Sequence, residues 1–285
     1  MGTSTSNAGT SGNGTPLVPS WLDPGSSGVG GAGSTSEPAG DPPQTETPPV
    51  PEPADPNRYQ APRTAFSKFA RSGGSDRRSM GRAVSSYVSR SSGGSKGAVQ
   101  KMGSSRGTAA RLLNFLNDAA TRGIDETLRS LNLDNLTGRP IDEVFIGIAD
   151  YILPEGGSAD TGIARDAFVR TIEQVVEAGT LDLSNLNSDQ VQAVIEAYTT
   201  NSIELRIYNE IGIKAVSMPK DVAAATAIQE QLHDFIGNGV SEAFNNLDQR
   251  PLPLRPDETL SYVDQIYEQA FDLLVALGDN MENEE

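Results

Sequence analysis

The side chains best suited to acid–base chemistry in this chain are its carboxylates, and they come in pairs: Asp142 beside Glu143, and Asp264 with Glu268. Two carboxylates held close can divide the roles of acid and base. These pairs, however, are drawn from 31 acids between Leu112 and Glu285, on stretches of helical periodicity, where they belong to solvated faces. His233, the only histidine, sits in EQLHDF beside the apolar Leu232 and Phe235. No serine or cysteine nucleophile motif accompanies it, so it reads as a residue at the edge of an apolar stripe. One histidine excludes paired-histidine metal motifs within the chain, and the lack of cysteine excludes thiolate nucleophiles, iron–sulfur clusters, cysteine-ligated zinc and disulfides. Neither GSADTG, from Gly157, nor the S-G-G-S turns at 72–75 and 92–95 fit the loop G-x-x-x-x-G-K-[ST] that cradles nucleotide phosphates, and no G-x-G-x-x-G follows a strand. The chain is therefore expected not to be an enzyme, with no catalytic residues, no metal and no cofactor.

With chemistry set aside, charge gives the organisation. The chain has 285 residues and a formal charge of −16, which splits into −6 over residues 1–57, +11 over 58–111 and −21 over 112–285. Residues 1–57 hold eleven of the 18 prolines and ten of the 29 glycines. Such a segment buries too little apolar surface to offset a chain entropy of roughly 1–2 kcal/mol per residue, so a disordered tail is expected, with polyproline-like spacing near its end. One island interrupts it: TPLVPSWLDP, residues 15–24, contains the only tryptophan. Leu17, Val18, Trp21 and Leu22 read as a docking peptide whose aromatic side chain fills a partner's pocket, or as a segment that folds back onto the chain's own body. No signal-peptide core and no apolar run of about twenty residues is evident, so a soluble, cytoplasmic protein without a membrane role is expected.

Residues 58–107 form a basic region rich in serine, glycine and arginine. Short helices are expected near 64–71, 76–90 and 96–102, with Ser75 and Ser95 as N-caps. Arg71, Arg77, Arg78, Arg82, Arg90, Lys96 and Lys101 make up its candidate basic patch. Such a patch could grip nucleic acid, could bind an acidic partner, or could lie against the chain's own acidic part. The absence of an RNA-binding signature or zinc finger favours the last two.

From 108 to 279 the pattern is helical. Apolar residues recur at helical spacing from Ile141 to Ile152, at Phe168, Ile172, Val175 and Val176, and at Val191, Val194, Ile195 and Tyr198. Two further stripes run from Ile228 to Phe244 and from Leu260 to Leu277. Pro140, Pro219 and Pro256 stand at plausible helix starts, and Gly179 and Gly278 at plausible ends. The stretch 203–216, where alternation competes with helical spacing, is assigned to helix. The fold expected is mainly α: a disordered Gly/Pro-rich tail, a basic short-helix region, an acidic α-helical domain over 108–279 and an acidic tail over 280–285.

Three features together resemble a known family: the opening Met1-Gly2-Thr3-Ser4, the T-P-L-V-P-x-W island at 15–21, and FARSGGSDRRSMGRAVSSYV at 69–88. They look like QatB, a component of the Qat anti-phage defence system. The resemblance implies a bacterial cytoplasmic protein acting beside the ATPase QatA, the QueC-like enzyme QatC and the TatD-like nuclease QatD. QueC-type chemistry activates a carboxylate with ATP and adds a nitrogen nucleophile to form an amide. A protein substrate for it must offer an accessible amine, and an α-amine titrating near 7.7–8.0 is partly neutral at cytoplasmic pH. Gly2, exposed once Met1 is removed, is the expected modified residue, with Thr15 to Trp21 as the docking segment. A nucleic-acid-binding adaptor using residues 58–111 and a purely structural scaffold are the competing readings.

Overall fold

The computed structural model describes residues 55–212 and 221–283. Gly2, the island at 15–24, Pro219 and the end of the 203–216 stretch lie outside the described residues. Among those described there is no strand, so the fold is mainly α as expected. The helices are α1 (Gln60–Arg71), α2 (Arg77–Ser86), α3 (Ser95–Lys101), α4 (Gly103–Arg122), α5 (Ile124–Ser130), α6 (Ile141–Gly147), α7 (Ala149–Ile152), α8 (Ala159–Ala178), α9 (Ser188–Ile207), α10 (Val222–Asn245) and α11 (Pro256–Asn283). Two of them widen into π turns at their C-terminal ends, α2 through Tyr87–Ser91 and α9 through Tyr208–Gly212. Such turns insert an extra residue and redirect the side chains that follow.

Local chemistry sets most boundaries. Asn187 and Gln190 form a reciprocal capping box at the start of α9, with bonds of 2.9 and 3.1 Å, which satisfies two amides that a helix N-terminus leaves unpaired. Ser158 caps α8 through the Thr161 amide, and Gly179 closes it at φ 59°. In the basic region the caps differ from expectation. Asp76, rather than Ser75, caps α2 by accepting from the Ser79 amide at 3.0 Å, and Gly94, rather than Ser95, precedes α3. The reason lies in the repeated S-G-G-S turn: both of its glycines have positive φ in each copy, so the chain reverses there and the helix starts a residue away from the expected serine. The stripe from Ile141 to Ile152 is two helices broken at Ile148, which stays fully buried.

Helix α9 is the axis of the core. Its first turns bury one face, through Val191, Val194 and Ile195, but from Tyr198 to Ile207 all ten residues are buried. Helices α4, α8 and α10 pack around it, and α11 lies across α2, α3, α4 and α10. One continuous set of buried apolar side chains runs from Ala65 in α1 to Leu274 in α11, so the helices of residues 58–107 share the core of the acidic part. The change of composition at 107/108 falls inside α4.

Gly278 does not end a helix, since α11 continues to Asn283 through the first residues of the expected acidic tail. It marks instead the crossing of α11 over α2. A Cβ placed on it would sit 2.5 Å from the Gly81 carbonyl oxygen and 2.9 Å from Ser85 Cβ, and one on Gly81 would meet Gly278 Cα at 3.1 Å. The two backbones approach so closely that neither position has room for a methyl group. Gly278→Ala is expected to lower stability by about 1–3 kcal/mol, the usual cost of overpacking, despite alanine's better helix propensity. Gly162→Ala in α8, where nothing lies within 4 Å, should raise it by about 0.5–1 kcal/mol; urea unfolding of both variants checks the pair.

Candidate functional site

The basic and acidic parts meet at Glu210, in the π turn that ends α9. Tyr59 Oη donates to Glu210 Oε2 at 2.6 Å, Lys101 Nζ lies 3.6 Å from the same oxygen, and Arg206 Nη1 is 3.5 Å from Oε1. Arg63 donates to the Glu210 carbonyl at 3.0 Å. Lys101 also donates to Tyr59 Oη, the Ser91 carbonyl and Ser92 Oγ at 3.1–3.2 Å. Arg206, whose side chain is 9% exposed, donates to the Lys101 carbonyl at 2.6 Å and pairs with Asp160, whose other oxygen accepts from the Ser104 amide at 2.7 Å. Arg58, Arg63 and Lys101 all lie over the Tyr59 ring, within 5.0–5.3 Å of its centre. Both π turns contribute, the first through Ser91 and the second through Glu210. Burial pushes the Tyr59 hydroxyl above its usual range, helped by the bond to Glu210. Burial likewise lowers the Lys101 ammonium, against the pull of Glu210.

A second group of charges lies on the opposite side of α9. Glu204, 6% exposed, receives His233 Nδ1 at 2.8 Å on Oε2 and faces Arg170 at 3.5 Å from Oε1. His233 is thus half-buried and hydrogen-bonded to Glu204 rather than merely at a stripe edge. Its bond to Glu204 raises its pKa above the usual 6.5, outweighing burial. Beside the pair opens a cavity of about 320 Å³ lined from α8 by Arg170 and Gln174, from α9 by Asn201 and Glu204, and from α10 by Gln229 and His233. Among the described residues no three or more acids and histidines converge as a metal site would require.

The seven residues of the candidate basic patch part company. Lys101 is turned inward to the partly buried Glu210, where the Ser91 carbonyl of the first π turn also accepts from it. Arg82 pairs with Glu282 and Lys96 lies 3.9 Å from Glu268, both on α11. Arg106, outside that set, binds Asp264. Arg71, Arg77, Arg78 and Arg90 remain exposed on α1, α2 and the turn after it. Asp264 and Glu268 therefore serve as ion-pair partners, while Asp142 and Glu143 are exposed on α6, Glu143 lying 3.5 Å from Arg139. Sequence reading missed Glu204, Arg206, Glu210, Asp160 and Tyr59. The signal present was Glu204, which stands among the apolar residues of IELRIYNEIG and off the face shared by Arg206, Asn209 and Glu210 at helical spacing.

Removing Glu210 would leave Lys101 and Arg206 partly buried without their common anion. Glu210→Ala is expected to cost about 2–3 kcal/mol, below the range for fully buried pairs because Glu210 retains some exposure; Tyr59→Phe, which deletes the bond donated to Glu210 and the one accepted from Lys101, should cost about 1–2 kcal/mol, and urea denaturation of both variants checks the order. For His233 the folded pKa lies above the unfolded one, so the stability that its protonation contributes is full below pH 6.5 and is lost as pH rises through the raised folded value. The difference in unfolding free energy between the parent and His233→Gln should shrink over that rise, and an NMR titration of the ring gives the folded pKa directly.

Comparison with known proteins adds a family. No curated protein and no solved structure matches the chain. Residues 93–274 match the family model described as "QatB: Qat anti-phage system associated protein QatB". The match begins in the second S-G-G-S turn and ends in α11, so it rests on the helical body and not on the N-terminal motifs that carry the resemblance in sequence. No helix among the described residues is long and apolar enough to cross a membrane. Because the matched span takes in α3 to α10, most of α11 and well over half of the chain, the chain belongs to the QatB family and is a component of the Qat anti-phage system.

Proposed function

We propose that this chain is the non-enzymatic protein substrate and adaptor of the QueC-like partner QatC, modified on the α-amine of Gly2, and that it also binds the ATPase QatA and the TatD-like nuclease QatD. Family membership supports a role inside the Qat system. The observation that carries the choice of protein partners over nucleic acid is the use of the basic region within the chain itself. Arg82, Lys96, Lys101 and Arg106 are each held by an acid of α11 or by Glu210, which reduces the cations available to a phosphate backbone.

In this reading the labour divides along the chain. The helical body binds the system's larger partners, and the segment before it presents Gly2 to the enzyme. Leu17, Val18, Trp21 and Leu22 dock on QatC and raise the local concentration of the amine near its active site. ATP activates the carboxylate as its adenylate, releasing pyrophosphate; the Gly2 nitrogen then attacks the acyl carbon to form an amide, AMP leaves, and the amine loses a proton.

Intact-mass and N-terminal peptide mass spectrometry of the chain co-expressed with QatC should show a mass addition confined to the peptide that begins at Gly2. Trp21→Ala should weaken the complex with QatC by about 2 kcal/mol, roughly thirtyfold, as expected for a buried aromatic anchor. An unmodified Gly2 in cells whose defence against phage is active would remove the substrate role.

A further inference from the structure

The cavity between α8, α9 and α10 is lined with acceptors that have too few donors. Its floor is α9, through Asn201, 1% exposed, and Glu204. Asn201 uses Nδ2 twice, toward Thr171 Oγ1 at 3.1 Å and Gln174 Oε1 at 2.9 Å; among the described residues its Oδ1 receives no hydrogen bond. Glu204 Oε2 is taken by His233, but Oε1 has only the Arg170 guanidinium at 3.5 Å, beyond a good hydrogen bond, on a side chain that is 44% exposed. Two acceptors on the floor thus lack a well-placed donor from the protein and face the cavity, open to a ligand's N–H groups. Glu173, Glu177, Glu230 and Asp234 stand around the opening, and their charge exceeds what Arg170 and His233 supply.

These features select a ligand class. An anion would face the acidic rim, and an apolar ligand would leave the floor acceptors unpaired. A metal ion lacks its ligand set among the described residues. A group with several N–H donors and a positive charge satisfies both rim and floor, and a volume of about 320 Å³ admits it on a slim carbon chain. We propose that this cavity binds an alkylammonium or guanidinium group, which takes the place of Arg170 at Glu204 Oε1 and donates to Asn201 Oδ1. The group can come from a free polyamine or from a lysine or arginine side chain of a partner protein. The site involves neither Gly2 nor the docking segment and stands or falls apart from the substrate role.

The chain carries its own probe, because His233 is the only histidine and shares Glu204 with the proposed ligand. With the full-length protein labelled at histidine, ring resonances are followed by NMR while spermidine, agmatine or acetyl-arginine amide is added, with sodium chloride of matched ionic strength as reference. The expected result is a saturable shift of the His233 ring and a lower pH for its titration, since the ligand competes for the same carboxylate. Spermidine binding more tightly than acetyl-arginine amide supports a free polyamine; equal or tighter binding of the amide supports a protein side chain. Glu204→Gln should weaken binding by about tenfold or more. If that variant does not fold, the exposed rim pair Glu230→Gln with Asp234→Asn serves instead, with about two- to threefold weaker binding expected. A ring response no larger than that to sodium chloride, or unchanged affinity in a folded variant, overturns the proposal.

Discussion

Helix α9 ends in a buried run that contains charge, and that constraint organises the rest of the molecule. A helix surrounded on all sides cannot turn Glu204 or Arg206 to water, so each must find its counter-charge on a neighbouring element. Glu204 finds Arg170 of α8 and His233 of α10. Arg206 finds Asp160 of α8 and, one turn on, Glu210. Glu210 in turn holds Tyr59 and Lys101 from the basic region. The helices around α9 are therefore fixed by apolar packing and also by two groups of ion pairs that tie α9 to α8 and α10 on one side and to α8 and α3 on the other. Apolar packing tolerates sliding of one helix past another, whereas a carboxylate shared by several donors does so poorly, and this gives the assembly a single register.

The same network explains the charge imbalance. A basic block followed by a strongly acidic one suggests two bodies or two partners. In the structure the basic helices α1 to α3 complete the core of the acidic helices, and their cations face α11 and Glu210. The contact of Lys101 with the Tyr59 ring and the bond from Ser91 Oγ to the Arg58 carbonyl at 2.6 Å fasten the first described residues onto this body. Whatever lies before residue 55 starts from a fixed point.

The membership of a helix in the fold was legible wherever its apolar residues kept to one stripe. Val191, Val194, Ile195 and Tyr198 mark α9, and Ile228 to Phe244 mark α10, because a half-buried helix must place its apolar side chains at its own period. The site was much less legible. Glu204 and Glu210 look like any two of 38 acids, and no local rule distinguishes a carboxylate that will be buried from one that will be solvated. His233 stood out by being single, but its partner lies 29 positions away on another helix. Ser75 and Ser95 had the right chemistry for caps and lost to the turn geometry of the glycines before them.

By itself the sequence determined the helical class, the placing of most helices, the segregation of charge and the exclusion of thiolate and paired-histidine chemistry, because these follow from composition and from the period of a single element. Tertiary structure alone decided that the basic region completes the acidic core, that Gly278 is a crossing point and not a stop, and that Lys101 faces inward. It also decided which carboxylates became buried hubs. Each of these depends on which side chains meet across elements far apart in the chain, and the energy of such a meeting resides in neither partner until both are removed from water.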